Sequence, residues 1–194
     1  MRVNEIFYSL QGEGFYTGKA AVFIRLSGCN LKCSFCDTNF CDYKEMNHEQ
    51  IVDCVCGLSV QCHFVVITGG EPTIQDCTHL IDLLQQNGYM VAMESNGTHK
   101  PPFNVNWLTI SPKESFVGNA GKVVVKKCNE LKLVFDGKNE PQDFGVLADH
   151  YYLQPCDTGD AKRNLEIIEQ CVKYIKKNPK WKMSLQTQKI LNVR

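Results

Sequence analysis

Cys29-Asn30-Leu31-Lys32-Cys33-Ser34-Phe35-Cys36 sets three thiols in one short loop. Thiolates select soft metals, chiefly zinc and iron–sulfur clusters. A closed structural zinc site takes four ligands, and so does a four-iron cluster that only carries electrons. Three cysteines leave one metal position open, where a substrate or cofactor can bind. Cys41 or a later cysteine could supply a fourth ligand, so the triad alone leaves both arrangements open. Apolar packing, the ordinary use of a free cysteine, does not account for a loop that also carries Asn30, Lys32 and Ser34.

Upstream, Ala21-Val22-Phe23-Ile24-Arg25-Leu26-Ser27 reads as a buried strand with one charge in it. A buried charge must be paired or must face a ligand. The planar fork of Arg25 suits a carboxylate, so a bound acid and an ion pair with a nearby acidic residue are both open. Further upstream, Ser9-Leu10-Gln11-Gly12-Glu13-Gly14 reads on its own as a hairpin turn with glycines on both sides of Glu13. Downstream, Thr38 offers a hard hydroxyl oxygen, which suits magnesium rather than iron. Alone it reads as a turn residue.

The rest of the chain alternates strands and helices. Asn47 with Gln50 forms a capping-box pattern before a helix to about Gly57, with Ile51, Val52, Val55 and Leu58 on its apolar face. Cys54, Cys56 and Cys62 near this helix are expected to pack in the core. Phe64–Ile67 reads as a short buried strand ending in Thr68-Gly69-Gly70-Glu71-Pro72, where glycines let backbone approach a ligand closely. A helix is expected from Ile74 to Asn87. Strands are expected at Tyr89–Glu94, ending in Ser95-Asn96-Gly97-Thr98, and at Trp107–Ile110, ending in Ser111-Pro112-Lys113. Ser111 and Lys113, both donors, could together hold a carboxylate. Residues 113–130 read as a loop or short irregular element. Leu131–Phe135 and Tyr151–Pro155 read as strands, with a short helix at Pro141–Asp149 between them. Ala161–Lys177 reads as the best helix of the chain, with Leu165, Ile168, Val172 and Ile175 on one face, and Met183–Gln186 as the last strand.

The chain has 194 residues, 22% charged and 43% hydrophobic, with zero net charge. That is an ordinary single globular domain spanning 1–194. A general nucleic-acid binder carries a basic excess, so direct nucleic-acid binding is not expected, and the lysines at 173, 176, 177, 180 and 182 read as a solvated helix end. Apolar runs are too short to span a bilayer, and Met1-Arg2-Val3-Asn4-Glu5 lacks the apolar stretch of a signal peptide. Eleven cysteines without such a signal fit a reducing compartment, so a cytoplasmic location is expected.

Each polar motif follows a strand end, which places Cys29, Gly70, Ser95, Ser111 and Gln154 on one face of a parallel sheet. Connections such as 96–106 and 113–130 are too short or irregular for full helices. The expected fold is therefore α/β, an incomplete parallel barrel of the TIM type.

The Cys-x3-Cys-x2-Cys loop followed by Asp37-Thr38, with Gly69-Gly70-Glu71-Pro72 after the next buried strand, resembles the radical S-adenosylmethionine (SAM) superfamily. Six further stretches narrow the resemblance: Leu10–Gly14, Arg25–Cys29, Glu94–Thr98, Ser111–Lys113, Leu153–Pro155 and Ser184–Thr187. Together they make nearly the whole chain similar to the 7-carboxy-7-deazaguanine synthase family of queuosine and deazapurine biosynthesis. That resemblance implies a radical ring contraction of 6-carboxy-5,6,7,8-tetrahydropterin, with loss of ammonia. It also implies a four-iron, four-sulfur (4Fe-4S) cluster, SAM, Mg2+, an external flavodoxin-like electron donor and a homodimer.

Carried over by position, Cys29, Cys33 and Cys36 would hold the cluster, whose fourth iron is chelated by SAM. Thr38 would hold magnesium. Phe35, Cys36, Asp37, Gly70, Glu71, Ser111, Pro112, Lys113, Gln154, Pro155, Cys156 and Asp157 would surround SAM. Leu10, Gln11, Gly12, Arg25 and Thr68 would line the substrate, with Arg25 toward the pterin carboxylate. Two departures stand out: Ser95 replaces the usual threonine, and Gln188 replaces the histidine of the usual Gln-Thr-His-Lys ending. Two other readings share parts of the pattern. An activase of glycyl-radical enzymes would use the triad without needing Arg25, Thr38 and the Gln11–Gly14 opening. A non-enzymatic iron–sulfur or metal module would need a fourth cysteine and have no use for Gly69–Pro72.

Overall fold

The protein is described by a computed structural model covering residues 1–36, 38–39 and 42–194. Asp37, expected near SAM, and Cys41, a candidate fourth ligand, lie outside the described residues.

Two antiparallel strands open the chain, β1 (Arg2–Leu10) and β2 (Ala20–Leu26). They confirm the hairpin turn at 11–19 and add a strand, β1, that the sequence did not announce. A two-residue strand, β3 (Lys44–Glu45), pairs with the outer edge of β1. Then come α1 (His48–Leu58), β4 (Phe64–Gly69), a 3-10 turn at Pro72–Ile74, α2 (Thr78–Gln86), β5 (Met90–Ser95) and β6 (Trp107–Ile110). The second half holds α3 (Glu114–Val117), a 3-10 turn at Gly118–Gly121, β7 (Lys127–Phe135), β8 (Leu147–Pro155), α4 (Ala161–Lys177), β9 (Trp181–Met183) and α5 (Thr187–Leu191).

Among the described residues the strands form one sheet in the order β3-β1-β2-β4-β5-β6-β7-β8-β9. From β2 to β9 every pairing is parallel. β3 and β9 are edges, so the sheet does not close. This is the incomplete barrel expected from the short connections. Where a crossover has room, an amphipathic helix covers the outer face. Ile51 and Val55 of α1, Leu80, Ile81 and Leu84 of α2, and Ile167 and Cys171 of α4 are fully or almost fully buried. Each large aliphatic side chain so buried contributes about 1.5–3 kcal/mol. β4 runs buried from Phe64 to Ile67, as a strand covered on both faces must. Among the described residues no helix is long and apolar enough to cross a membrane.

The capping box of α1 is present in full: the Gln50 amide donates to Asn47 Oδ1, and the Asn47 amide to Gln50 Oε1. The expected Ile74–Asn87 helix is instead split. Gln75 is extended, and its side chain bonds Arg2 and Ser27, tying the turn to the ends of β1 and β2. Those cross-links compete with helix continuation, and α2 starts only at Thr78. There is no helix at 141–149. Phe144 and Gly145 both have positive φ, which a right-handed helix cannot accommodate, and β8 begins at Leu147. β7 starts earlier than expected because its first residues, Lys127 and Cys128, pair with Leu147 and Ala148 of β8. The last strand falls at Trp181–Met183 rather than Met183–Gln186. α4 turns Ile167 and Cys171 inward and leaves Leu165 and Val172 exposed, so its buried stripe is rotated from the one expected. Cys62 is buried as expected, but Cys54 and Cys56 lie exposed on α1.

Candidate active site

The parallel strands deliver their C-terminal ends to a cavity of about 1070 Å³. Cys29, Cys33 and Cys36 line it, with Phe35, Thr38 and Gly70. The Phe35 ring sits edge-on to Phe116, at 4.6 Å between centroids. Burial pushes the Cys29 thiol up, with the nearby Glu71 and Cys36 charges adding to it, while the Leu31 amide and the Lys113 ammonium oppose it. Cys33 is pushed up by burial in the same way, with Lys113 pulling it down.

Among the described residues no three His, Cys, Asp or Glu side chains are gathered tightly enough to hold a single ion. Three thiols lining one cavity, close enough for their charges to act on one another, suit a cluster. Each cysteine of a 4Fe-4S cube binds a different iron, so the sulfurs stay apart.

The cysteine loop is held by β4. The Gly70 amide donates to Leu26 O at 3.1 Å and the Glu71 amide to Gly28 O at 2.8 Å. This approach requires glycine. A Cβ on Gly70 would lie 2.0 Å from Gly28 O, and Gly69 has φ +143 with Leu26 O 2.1 Å from where its Cβ would be. The Glu71 side chain turns away from the cavity. It is 1% exposed, and its oxygens accept from the Thr73 amide and hydroxyl, the Ser95 hydroxyl and the Asn96 amide. This carboxylate locks the ends of β4 and β5 together. Ser95 uses its hydroxyl in that lock, so the serine is spent on structure while Asn96 reaches the cavity.

Ser111 and Lys113 also line the wall, and Lys113 Nζ donates to Ser111 O and Oγ, both at 2.6 Å. Burial lowers the Lys113 pKa to about 8, against the pull of the Cys33 thiolate in the other direction. Pro112 does not line the cavity. β8 contributes Gln154 and Pro155, followed by Cys156 and Asp157. Gln154 Oε1 accepts from Ser184, and Asp157 pairs with Lys189 at 2.9 Å. That bond, with those from the Gly159 amide and Asn164, holds Asp157 at about 2.

The strands β1, β2 and β4, with the loop after β1, supply another part of the lining. Leu10, Gln11, Gly12, Arg25 and Thr68 all belong to it. Arg25 Nε pairs with Glu5 Oε1 at 2.9 Å, so both expectations for this residue meet: it has an ion-pair partner and it faces the cavity. Arg194 also reaches Glu5.

The lining also holds Glu13, Glu94 and Lys132, which the sequence reading did not assign. Glu94 accepts from Gln11 Nε2 and Thr68 Oγ1, both at 3.1 Å. Lys132 is buried beside it, with Nζ 3.6 Å from Glu94 and 2.6 Å from Glu13. Burial works against the Lys132 charge, but Glu13, Glu94 and Glu130 overcome it and raise its pKa. Burial likewise works to raise Glu13, yet Lys132 and donors from Gln186 and Gln188 bring it down to about 2. The signal for these residues was in the sequence. Glu94 is the single charge of β5, and Lys132 the single charge of the Leu131–Phe135 stretch read as a strand, the same pattern that singled out Arg25.

Residues 23–104 match the model of the Radical SAM superfamily. The chain is 41% identical to a 7-carboxy-7-deazaguanine synthase of Bacteroides thetaiotaomicron, over 100% of this chain and 98% of the relative. It is 36% identical to the enzyme of that name from Haemophilus influenzae, over 98% and 93% of the two chains. The crystal structure of QueE from Escherichia coli superposes with a TM-score of 0.69 at 29% identity, covering 95% of this chain and 92% of that one. With a cavity lined by three cysteines at the strand ends of an open parallel barrel, and relatives that match it end to end, this chain belongs to the 7-carboxy-7-deazaguanine synthase family of radical SAM enzymes.

Proposed function

We propose that the chain converts 6-carboxy-5,6,7,8-tetrahydropterin to 7-carboxy-7-deazaguanine with release of ammonia, in the route to the queuosine precursor. The observation that carries this is the shared cavity: the three cysteines line the same space as Arg25, Gln11 and Thr68. A glycyl-radical activase has no need of Arg25, Gln11 and Thr68 in that cavity, because its substrate is a peptide loop. An electron-carrying module has no need of the cavity.

Cys29, Cys33 and Cys36 would hold the 4Fe-4S cluster, which supplies the electron that makes SAM a source of a hydrogen-abstracting radical. The remaining work belongs to the chain. The backbone at Gly70, the Ser111–Lys113 pair and the stretch from Gln154 to Asp157 would bind SAM. For Glu71 the role is to hold Gly70 and Asn96 in place, since its carboxylate is already fully hydrogen-bonded. Arg25 would exchange part of its pairing with Glu5 for the pterin carboxylate, and Thr38 would offer its hydroxyl to magnesium on that carboxylate. Glu94, buried Lys132 and Gln11 would orient the ring, and a walled cavity limits water around a reactive radical. We also infer a homodimer, a flavodoxin-like electron donor and a cytoplasmic setting.

The test is direct. Anaerobically reconstituted protein is incubated with SAM, reductant, magnesium and the tetrahydropterin acid, and products are read by mass. Appearance of the deazaguanine acid and ammonia supports the reading. An intact cluster that cleaves SAM but leaves the pterin unchanged overturns the substrate assignment.

A further inference from the structure

Glu5 and Arg25 face one another across β1 and β2 because of a β-bulge. Val3 pairs with Leu26, and in an uninterrupted register Asn4 would come next, opposite Arg25. The bulge between Val3 and Glu5 adds a residue to β1, so that Glu5 meets Arg25 instead. Bulges re-aim side chains in this way and are frequent beside active sites. Opposed residues of an antiparallel pair share a face. Phe7 and Phe23 are the next pair on that face, with rings stacked at 5.0 Å. Glu5, Phe7, Phe23 and Arg25 all line the cavity.

Arg25 donates through Nε to Glu5 Oε1 at 2.9 Å, and its guanidinium carbon stands 5.9 Å from the centre of the Phe7 ring. The other oxygen of Glu5, Oε2, is taken by Arg194, which also lies over Phe7. One carboxylate is therefore divided between two guanidinium groups, and it cannot close on Arg25 as a fork while Arg194 holds Oε2. Among the described residues the Arg25 side chain makes no other hydrogen bond, which leaves both Nη groups unengaged. Those two groups form an edge that can take a carboxylate through two parallel hydrogen bonds. We propose that Glu5 is a positioning residue for substrate recognition: by holding Arg25 through Nε alone, it presents the Nη1–Nη2 edge to the acid group of the substrate and selects a carboxylate there over an uncharged group. This rests on the pterin reading above. The Nε bond is the part of the pairing that Arg25 keeps when it shares its charge with the bound acid. A plain counter-charge would do the opposite: Glu5 would compete with the substrate for Arg25, and removing its charge would tighten binding.

The test reads binding, without turnover. Affinities of 6-carboxy-5,6,7,8-tetrahydropterin and of its 6-carboxamide are measured anaerobically by equilibrium dialysis, with SAM and magnesium present and reductant omitted. Glu5→Asp keeps the charge but falls one methylene short of Nε, and it should weaken the acid by about tenfold while the carboxamide is unchanged. Glu5→Gln keeps an acceptor for Nε without the charge, and it should hold the acid within about threefold of wild type. SAM affinity and melting temperature should hold in both, since the Arg25 and Glu5 side chains are 22% and 24% exposed and water reaches whatever is left unpaired. Full acid affinity in Glu5→Asp overturns the inference. So does tighter acid binding in Glu5→Gln, the mark of a counter-charge, and so does an equal loss of acid and carboxamide in Glu5→Asp, the mark of a distorted strand. Wild-type protein that binds neither pterin would overturn the substrate reading, and this inference would fall with it.

Discussion

Lys132 Nζ lies 2.6 Å from Glu13 Oε2, joining β7 to the loop after β1 beneath the cavity floor. The lysine side chain is 7% exposed and the glutamate 17%. Removing one partner of a buried pair leaves the other charged and unsolvated, whereas removing both need not. Glu13→Gln should therefore lower stability by about 3 kcal/mol, and Glu13→Leu with Lys132→Met by much less. Urea unfolding of both variants checks this. Equal losses would show that packing, not charge, holds the loop.

The same pair sets an acid limit. Glu13 has its folded pKa at about 2, below the ordinary value of 4.5, so the unfolded chain binds the proton more readily. Its contribution is complete above pH 4.5 and is lost as the pH falls toward 2. The full effect is about 3 kcal/mol, and stability rises with pH throughout that window. Unfolding free energies of wild type and Glu13→Gln, compared between pH 2 and 5, should converge at the acid end. A constant gap would remove Glu13 as the source.

Gly70→Ala sets a methyl 2.0 Å from Gly28 O, a backbone atom that cannot swing aside. The cysteine loop must shift. After anaerobic reconstitution and desalting, bound iron should fall to a minor fraction of wild type. Gly57→Ala is the opposite case. It lies within α1 with nothing near its Cβ, and should stabilise by roughly 0.5–1 kcal/mol. A Gly70→Ala protein that keeps its iron would show that the loop has slack.

Glu71→Gln keeps the shape and removes two acceptor lone pairs. Its amide nitrogen would have to face either the Asn96 amide or the donors from Thr73 and Ser95, donor against donor. The expected cost is about 2–3 kcal/mol, with SAM affinity reduced through displaced Gly70 and Asn96. Melting temperature and SAM binding measure the two parts. A loss of affinity with no loss of stability would instead mean that the carboxylate touches SAM.

Cysteine substitutions should sort by position. Alanine at Cys29, Cys33 or Cys36 should abolish iron retention with little loss of apo-protein stability. Alanine at Cys77 or Cys171, both fully buried, should do the reverse and lower the melting temperature while iron loading holds. Exposed Cys54 and Cys56 should affect neither. Iron content and thermal melts separate the three classes.

What the sequence alone determined was local or repeated along the chain. The thiol spacing at 29–36, the glycines at 69 and 70, the α1 capping box and the apolar runs of β2, β4, β5 and β6 are all short-range patterns. Short-range patterns survive without knowledge of neighbours. Most of the residues assigned to SAM and substrate do meet in one cavity, because every parallel strand of such a sheet ends on the same side.

What only the tertiary structure decided depended on partners far away in sequence. β1 is a strand because β2 pairs with it, and its own alternation is weak. The helix after Pro72 breaks because Gln75 is tied to Arg2 and Ser27. The direction in which α4 faces depends on which of its apolar residues meets the sheet. Glu71 has the motif position of a ligand, but donors from Ser95 and Asn96 claim its carboxylate. Lys132 was legible as the one charge of the Leu131–Phe135 stretch, yet its value lies in meeting Glu13 and Glu94. A buried charge is defined by its partners, and here those come from a loop and a strand, Glu13 and Glu94, that only folding brings to Lys132.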